Sequence, residues 1–128
     1  MLEEQLRLIL AAVLILAAAP LAAAEPVRVG GNDGLDACMT LGAVTGLKRD
    51  GDNFLAVREG PGTRFPKIDE LPQGYRIWLC DEKGGWIGIV YGHPNRCGVD
   101  TPMARRQAYK GPCASGWVSA KYVKELAG

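Results

Sequence analysis

FLAVREGPGTRFPKI, residues 54–68, runs a compact apolar segment, Phe54 to Val57, straight into an arginine and then Gly60-Pro61-Gly62. Pro61 fixes one φ angle, and the flanking glycines are free to take positive φ, so the chain is driven through a defined bend. An apolar run this short, closed by such a bend, reads as a strand. The same punctuation recurs on both sides. Upstream, ACMTLGAVTGL (37–47) leads through KRDGDN, whose Asp50-Gly51 is a hairpin-type turn signal, into FLAVR. Downstream come YRIWLCDE (75–82), the turn Lys83-Gly84-Gly85, WIGIVYG (86–92), an irregular stretch from His93 to Ser115, and GWVSAKYVKEL (116–126). Beyond residue 24 no stretch sustains helical periodicity, and a single turn at Ser119–Lys121 is the most helix expected. The pattern predicts a small all-β barrel.

The composition, 48% hydrophobic and 23% charged, is that of an ordinary globular protein. Leu8 to Ala24 is an apolar run of 17 residues interrupted only by Pro20, and it ends in Ala22-Ala23-Ala24 before Glu25-Pro26. It reads as a signal peptide over 1–24, cut after Ala24, and falls short of the roughly 20 apolar residues that span a bilayer. Membrane contact is thus expected only through an uncleaved N-terminal segment. Residues 25–37 are polar and glycine-rich and read as a flexible arm, and 38–128 form one domain. After residue 24 the chain carries 14 basic and 12 acidic residues. Near neutrality argues against nucleic acid as the partner. All four cysteines, Cys38, Cys80, Cys97 and Cys113, lie in the exported part, and an even count there points to two disulfides in an oxidising compartment, periplasmic or secreted.

An ordered series of residues resembles the bacterial Src homology 3 (SH3-like) domains. It comprises Leu55-Ala56-Val57-Arg58 followed by Gly60-Pro61-Gly62-Thr63, then Ile68, Leu71, Gly74, the Ile77/Leu79 strand, Gly85-Trp86, Gly116-Trp117-Val118-Ser119 and Tyr122-Val123. The resemblance covers residues 54–126. It implies a five-stranded, partly open barrel whose first strand ends at Arg58, with Gly60-Pro61-Gly62 starting a long loop beside a binding groove. Residues 38–48 are expected as an extra strand beside the first. Ala56 stands where the family usually has asparagine, and the stretch from Gly92 to Ser115 replaces what is usually a short turn. The resemblance further implies a binding module for cell-wall (peptidoglycan) peptide or an envelope protein, with a periplasmic structural or adaptor protein that grips another polypeptide as the alternative.

Strand alternation points Leu55, Val57, Ile77, Leu79, Ile87, Ile89, Tyr91 and Val118 inward and leaves Trp78, Cys80, Trp86 and Gly88 on outer faces. Four cysteines allow three pairings. Cys97 with Cys113 closes the insertion at its base, which leaves Cys38 with Cys80, a bond that would pin the extension over Trp78. Within 92–115, Arg96, Arg105, Arg106 and Lys110 oppose the single acid Asp100. The expected ligand site is therefore a groove between the Gly60-Pro61-Gly62 loop and this basic insertion. Trp86 and Trp117 would form its floor, Arg105, Arg106 and Lys110 its charged rim, and Tyr109 an added stacking face.

The one histidine, His93, lies in a turn-rich loop. Asp69-Glu70 and Asp81-Glu82 are adjacent pairs whose side chains diverge on extended chain, and no phosphate-cradling or nucleophile-elbow motif is present. A zinc site from His93, Cys97 and Cys113 matches no usual finger spacing. The reading is a monomeric non-enzyme without cofactor or metal.

Overall fold

The computed structural model describes residues 22–93 and 95–127. The apolar run at 8–24 therefore lies outside the described residues except for its last three alanines. The elements in order are strands β1 (Arg28–Val29), β2 (Thr40–Val44), β3 (Phe54–Arg58), β4 (Lys67–Pro72), β5 (Arg76–Lys83), β6 (Trp86–Tyr91), β7 (Gln107–Ala108) and β8 (Ala114–Ser119), a 3-10 turn at Ala120–Tyr122, and β9 (Val123–Ala127). Seven strands form one antiparallel sheet in the order β4-β3-β8-β6-β5-β2-β9, while β1 and β7 pair separately. The protein is all-β, and the sheet stays open at β4 and β9.

Leu71 of β4 and Val44 of β2 come from strands far apart in that order, yet they share one buried cluster with Leu55, Val57, Ile77, Ile89, Tyr91 and Val118. The sheet is thus curled around a single core. Every residue that alternation points inward is in this cluster or, as with Leu79 and Ile87, packed against it. The phenol of Tyr91 donates to the Asp69 carboxylate at 2.8 Å. Burial first, and that carboxylate second, hold the Tyr91 hydroxyl well above its ordinary titration range.

The strand expected over residues 38–48 is present as β2 but not in the expected place. β2 does not pair with β3; it is inserted antiparallel between β5 and β9, with Leu41 opposite Trp78 and Val44 opposite Val123. The Asp50-Gly51 turn does form, with Gly51 N–H donating to the Lys48 carbonyl at 3.4 Å. It lies within a longer connection anchored to distant parts, Thr45 N–H to the Tyr122 carbonyl and Leu47 N–H to Gln73 Oε1. That connection carries the chain across the barrel instead of folding it back.

A second cluster lies on the outer face of β5 and β6. Cys80 is the extra residue of a bulge, since Leu79 pairs with Ile89 and Asp81 with Gly88. Freed from the ladder, Cys80 bonds to Cys38, with Cα atoms 4.6 Å apart. Cys97 bonds to Cys113 at a Cα separation of 5.2 Å. Around these bonds Val29, Ala37, Val90 and Val99 are buried, and Trp78, Met103 and Tyr109 pack against them. Trp78 is half-buried, packed against this cluster, to which the extension contributes Ala37 and Cys38. Residues 25–37, expected as a flexible arm, are packed: Val27, Val29 and Ala37 are buried, and β1 pairs with β7 of the insertion. Two alternating valines within a glycine-rich stretch are enough, because Gly88 leaves them room. A Cβ at Gly88 would lie 2.7 Å from Asp81 Cβ and 3.0 Å from Val27.

Candidate functional site

Outward alternation on β3 leaves Phe54, Ala56 and Arg58 facing away from the core, and these three begin a groove. Trp86, at the start of β6, and Tyr122, at the end of the 3-10 turn, complete its aromatic lining. Leu47, Lys48 and Asp52 of the β2–β3 connection form one wall, and Lys121, Ser119 and Thr63 close the others. The cleft measures about 620 Å³, within the roughly 300–1,000 Å³ usual for small-ligand sites. Its charge is one-sided, with Lys48, Lys121 and Arg58 against Asp52. One groove cation sits on a ring face, Lys121 Nζ 5.6 Å from the Tyr122 ring centre, while Lys67, outside the groove lining and paired with Glu70, places its Nζ 4.9 Å from that of Phe54. Arg58 is partly committed, since its guanidinium donates to the Phe65 carbonyl at 2.9 Å and to that of Thr63 at 3.4 Å. It rivets the Gly60-Pro61-Gly62 corner to the end of β3.

That corner is architectural. Neither Gly60 nor Gly62 has positive φ. Gly60 is required by contact instead: a Cβ there would overlap the ring of Phe65, which is 2% exposed and seals the turn. Only Thr63 of the corner reaches the groove.

The expected site residues separate into two places. Trp86 is half-buried and lines the groove. Trp117 does not form its floor. It is 2% exposed, and its indole N–H donates to the Glu25 carbonyl at 2.7 Å, because the arm lies over the outer face of β8. The basic insertion does not border the groove either, since none of the lining residues comes from 92–115. Arg106 pairs with Asp81 at 2.8 Å, and the same carboxylate accepts the Arg28 N–H at 3.0 Å. Arg105 and Lys110 are exposed on the insertion itself. Tyr109 is a strut: its hydroxyl donates to the Cys97 carbonyl at 2.8 Å and accepts the Cys113 N–H at 3.1 Å. Pairing of β7 with β1, the Cys97–Cys113 bond and the Asp81 bridge together fold the insertion over the outer face of β5 and β6. His93 is exposed, and the two cysteines that a zinc site would need are consumed by their disulfide.

Lys48, Asp52, Phe54 and Lys121 are groove residues that the sequence reading did not single out, and Tyr122 entered it only as part of the family series. Outward alternation from Leu55 identifies Phe54 as a candidate. Nothing local brings Lys48 and Lys121 together, because the placement of β2 beside β9 does so.

The chain is 33% identical over 72 residues to "Putative N-acetylmuramoyl-L-alanine amidase YrvJ" of Bacillus subtilis (strain 168). The matched segment is 56% of this chain and 10% of that relative, so the chain spans about a tenth of the relative's length. No solved structure gives a significant match. The family model described as Bacterial SH3 domain matches residues 53–124, more than half of the chain, and the chain belongs to that family.

Proposed function

We propose that the chain is an exported, non-catalytic binding module whose Trp86 groove takes a carboxylate-bearing peptide of the cell wall or another envelope component. The observation that carries this reading is the groove's composition: Phe54, Trp86 and Tyr122 give it an aromatic lining, and Lys48 and Lys121 stand among them as carboxylate partners. Two further features support it. The relative is named as a putative N-acetylmuramoyl-L-alanine amidase, and the segment it shares with this chain is a tenth of it. The two disulfides belong to an oxidising compartment outside the cytoplasm.

A second reading, an adaptor that binds another polypeptide, is favoured by the edges of β4 and β9, which among the described residues have no further strand beside them and can accept an added one. Pull-down of residues 25–128 on purified peptidoglycan, beside pull-down on periplasmic extract, separates the two. Trp86→Ala is expected to weaken peptidoglycan retention at least tenfold, consistent with the weight of aromatic anchors. Lys48→Ala with Lys121→Ala is expected to abolish its salt sensitivity. Arg105→Ala is expected to leave retention unchanged. Retention that survives both groove variants would refute the groove; retention only from extract would favour the adaptor.

A further inference from the structure

Among the described residues, hydrogen-bonded anchoring of the arm to the barrel starts at Glu25. Its backbone N–H donates to the Glu59 carbonyl at 2.9 Å, its own carbonyl accepts the Trp117 indole at 2.7 Å, and its carboxylate meets Lys83 Nζ at 3.1 Å. Val27 and Val29 follow, both buried. Immediately before Glu25, Ala23 and Ala24 are exposed. The exposed Ala23-Ala24 pair, preceded by a half-buried Ala22, thus adjoins the first hydrogen-bonded anchor of the arm.

The sequence marks the bond between Ala24 and Glu25. Leader cleavage needs small side chains at the first and third positions before the scissile amide. After Ala24 those positions are Ala24 and Ala22; after Ala23 the third position is Leu21, and after Ala22 it is Pro20. The other small-residue triplet, Ala17-Ala18-Ala19, directly precedes Pro20, so a cut there would have to break a tertiary amide.

We propose that the amino group released by the expected leader cut after Ala24 is a docked structural group held against the Glu59 carbonyl, not the end of a loose tail. Hydrolysis adds one water across the amide: the hydroxyl goes to the Ala24 carbonyl carbon, giving a carboxylate, and the Glu25 nitrogen leaves protonated as an ammonium. That ammonium has three donors where the amide had one. One of them continues to the Glu59 carbonyl, now as a charge-assisted bond. Ala24 also lines a small notch with Pro26, Ile68 and Gly116, and its departure opens that notch beside the new terminus. The inference goes beyond the binding reading and stands without it, because it concerns how the arm that covers Trp117 is made.

The test has two arms. The full chain 1–128 is produced in an exporting bacterial host, and the intact mass and N-terminal residue of the purified product are determined. A product that begins at Glu25 is expected; an uncut chain or any other start overturns the site. Ala24→Tyr is expected to leave the leader attached, and unchanged release of Glu25 would overturn the recognition argument. For docking, the thermal midpoint of residues 25–128 is compared with that of 26–128, which begins at Pro26. A fall of about 4–8 °C is expected for a domain this size. Equal midpoints would overturn the docked role of the Glu25 terminus.

Discussion

Substitution of Gly60 by alanine tests the account of the corner most directly. A Cβ at this position would lie 2.6 Å from Cγ of Phe65 and still nearer two other ring carbons. Comfortable carbon–carbon contact is about 3.5–4.0 Å, so the ring has to retreat by roughly 1 Å. It has little freedom to do so. The Phe65 N–H donates to the Gly62 carbonyl at 3.3 Å, its carbonyl is held by Arg58 at 2.9 Å, and the ring is fully enclosed. Overpacking of this kind costs about 1–3 kcal/mol, which for a domain near 100 residues lowers the thermal midpoint by at least about 4–8 °C. Gly62 is the internal control. A Cβ there would be 3.6 Å from Phe65, an ordinary contact, and its φ is not positive. Gly62→Ala is therefore expected to be neutral or to stabilise by up to about 1 kcal/mol through the unfolded chain. Urea unfolding of both single variants, and of Gly60→Ala combined with Phe65→Leu, measures the coupling. The smaller side chain should recover part of the loss, a non-additivity of about 0.5–3 kcal/mol. Equal effects at Gly60 and Gly62, or strict additivity in the double variant, would refute the claim that the ring dictates the glycine.

Asp81→Ala removes the acceptor shared by Arg28 and Arg106 at a side chain only 12% exposed, and is expected to cost about 1–3 kcal/mol and to make the arm and insertion protease-sensitive. Unchanged urea and proteolysis profiles would contradict that bridging role. Because the Tyr91 hydroxyl titrates above its ordinary value of 10.0, the unfolded chain releases this proton first. Its contribution is complete below about pH 10 and then declines by about 1.4 kcal/mol per unit as pH rises towards the folded value. Tyr91→Phe should remove that slope from the difference between variant and wild-type unfolding curves. Replacing both Cys97 and Cys113 with serine is expected to cost about 3 kcal/mol in the loop-entropy account. Replacing Cys38 and Cys80, which close the longer loop, should cost about 4 kcal/mol by the same relation, and the reverse order in denaturant titration would count against it.

The inward residues of the core were legible because alternation is a local property: Leu55 and Val57, or Ile87 and Ile89, differ from their neighbours within a few positions. Cysteine spacing, with the insertion as a frame, was likewise enough to pair Cys97 with Cys113. Partner choice between strands is a global property. The Asp50-Gly51 signal reports a turn, and a turn forms, but nothing in KRDGDN states that β2 should prefer β5 and β9 to β3. Trp117 illustrates a related limit. Alternation says that it points outward, not that Glu25 and the arm lie over it. The groove was half legible for the same reason, with Trp86 visible in its strand and Lys48 and Lys121 joined only by tertiary placement.

The position of β2 bears on when the protein can fold. Its neighbours are β5 and, on the other side, β9, the last strand in the chain. Leu41 faces Ala127 across that ladder, so the sheet is stitched between distant ends of the sequence, and the entropy of closing so long a loop precedes any reward from pairing. A nascent chain synthesised from its N-terminus cannot complete this seam until residues 123–127 have emerged. Until then Thr40–Val44 has only β5 of its two partners. On the proposed export route, a sheet whose seam closes only with residues 123–127 leaves the chain open to threading until those residues are made.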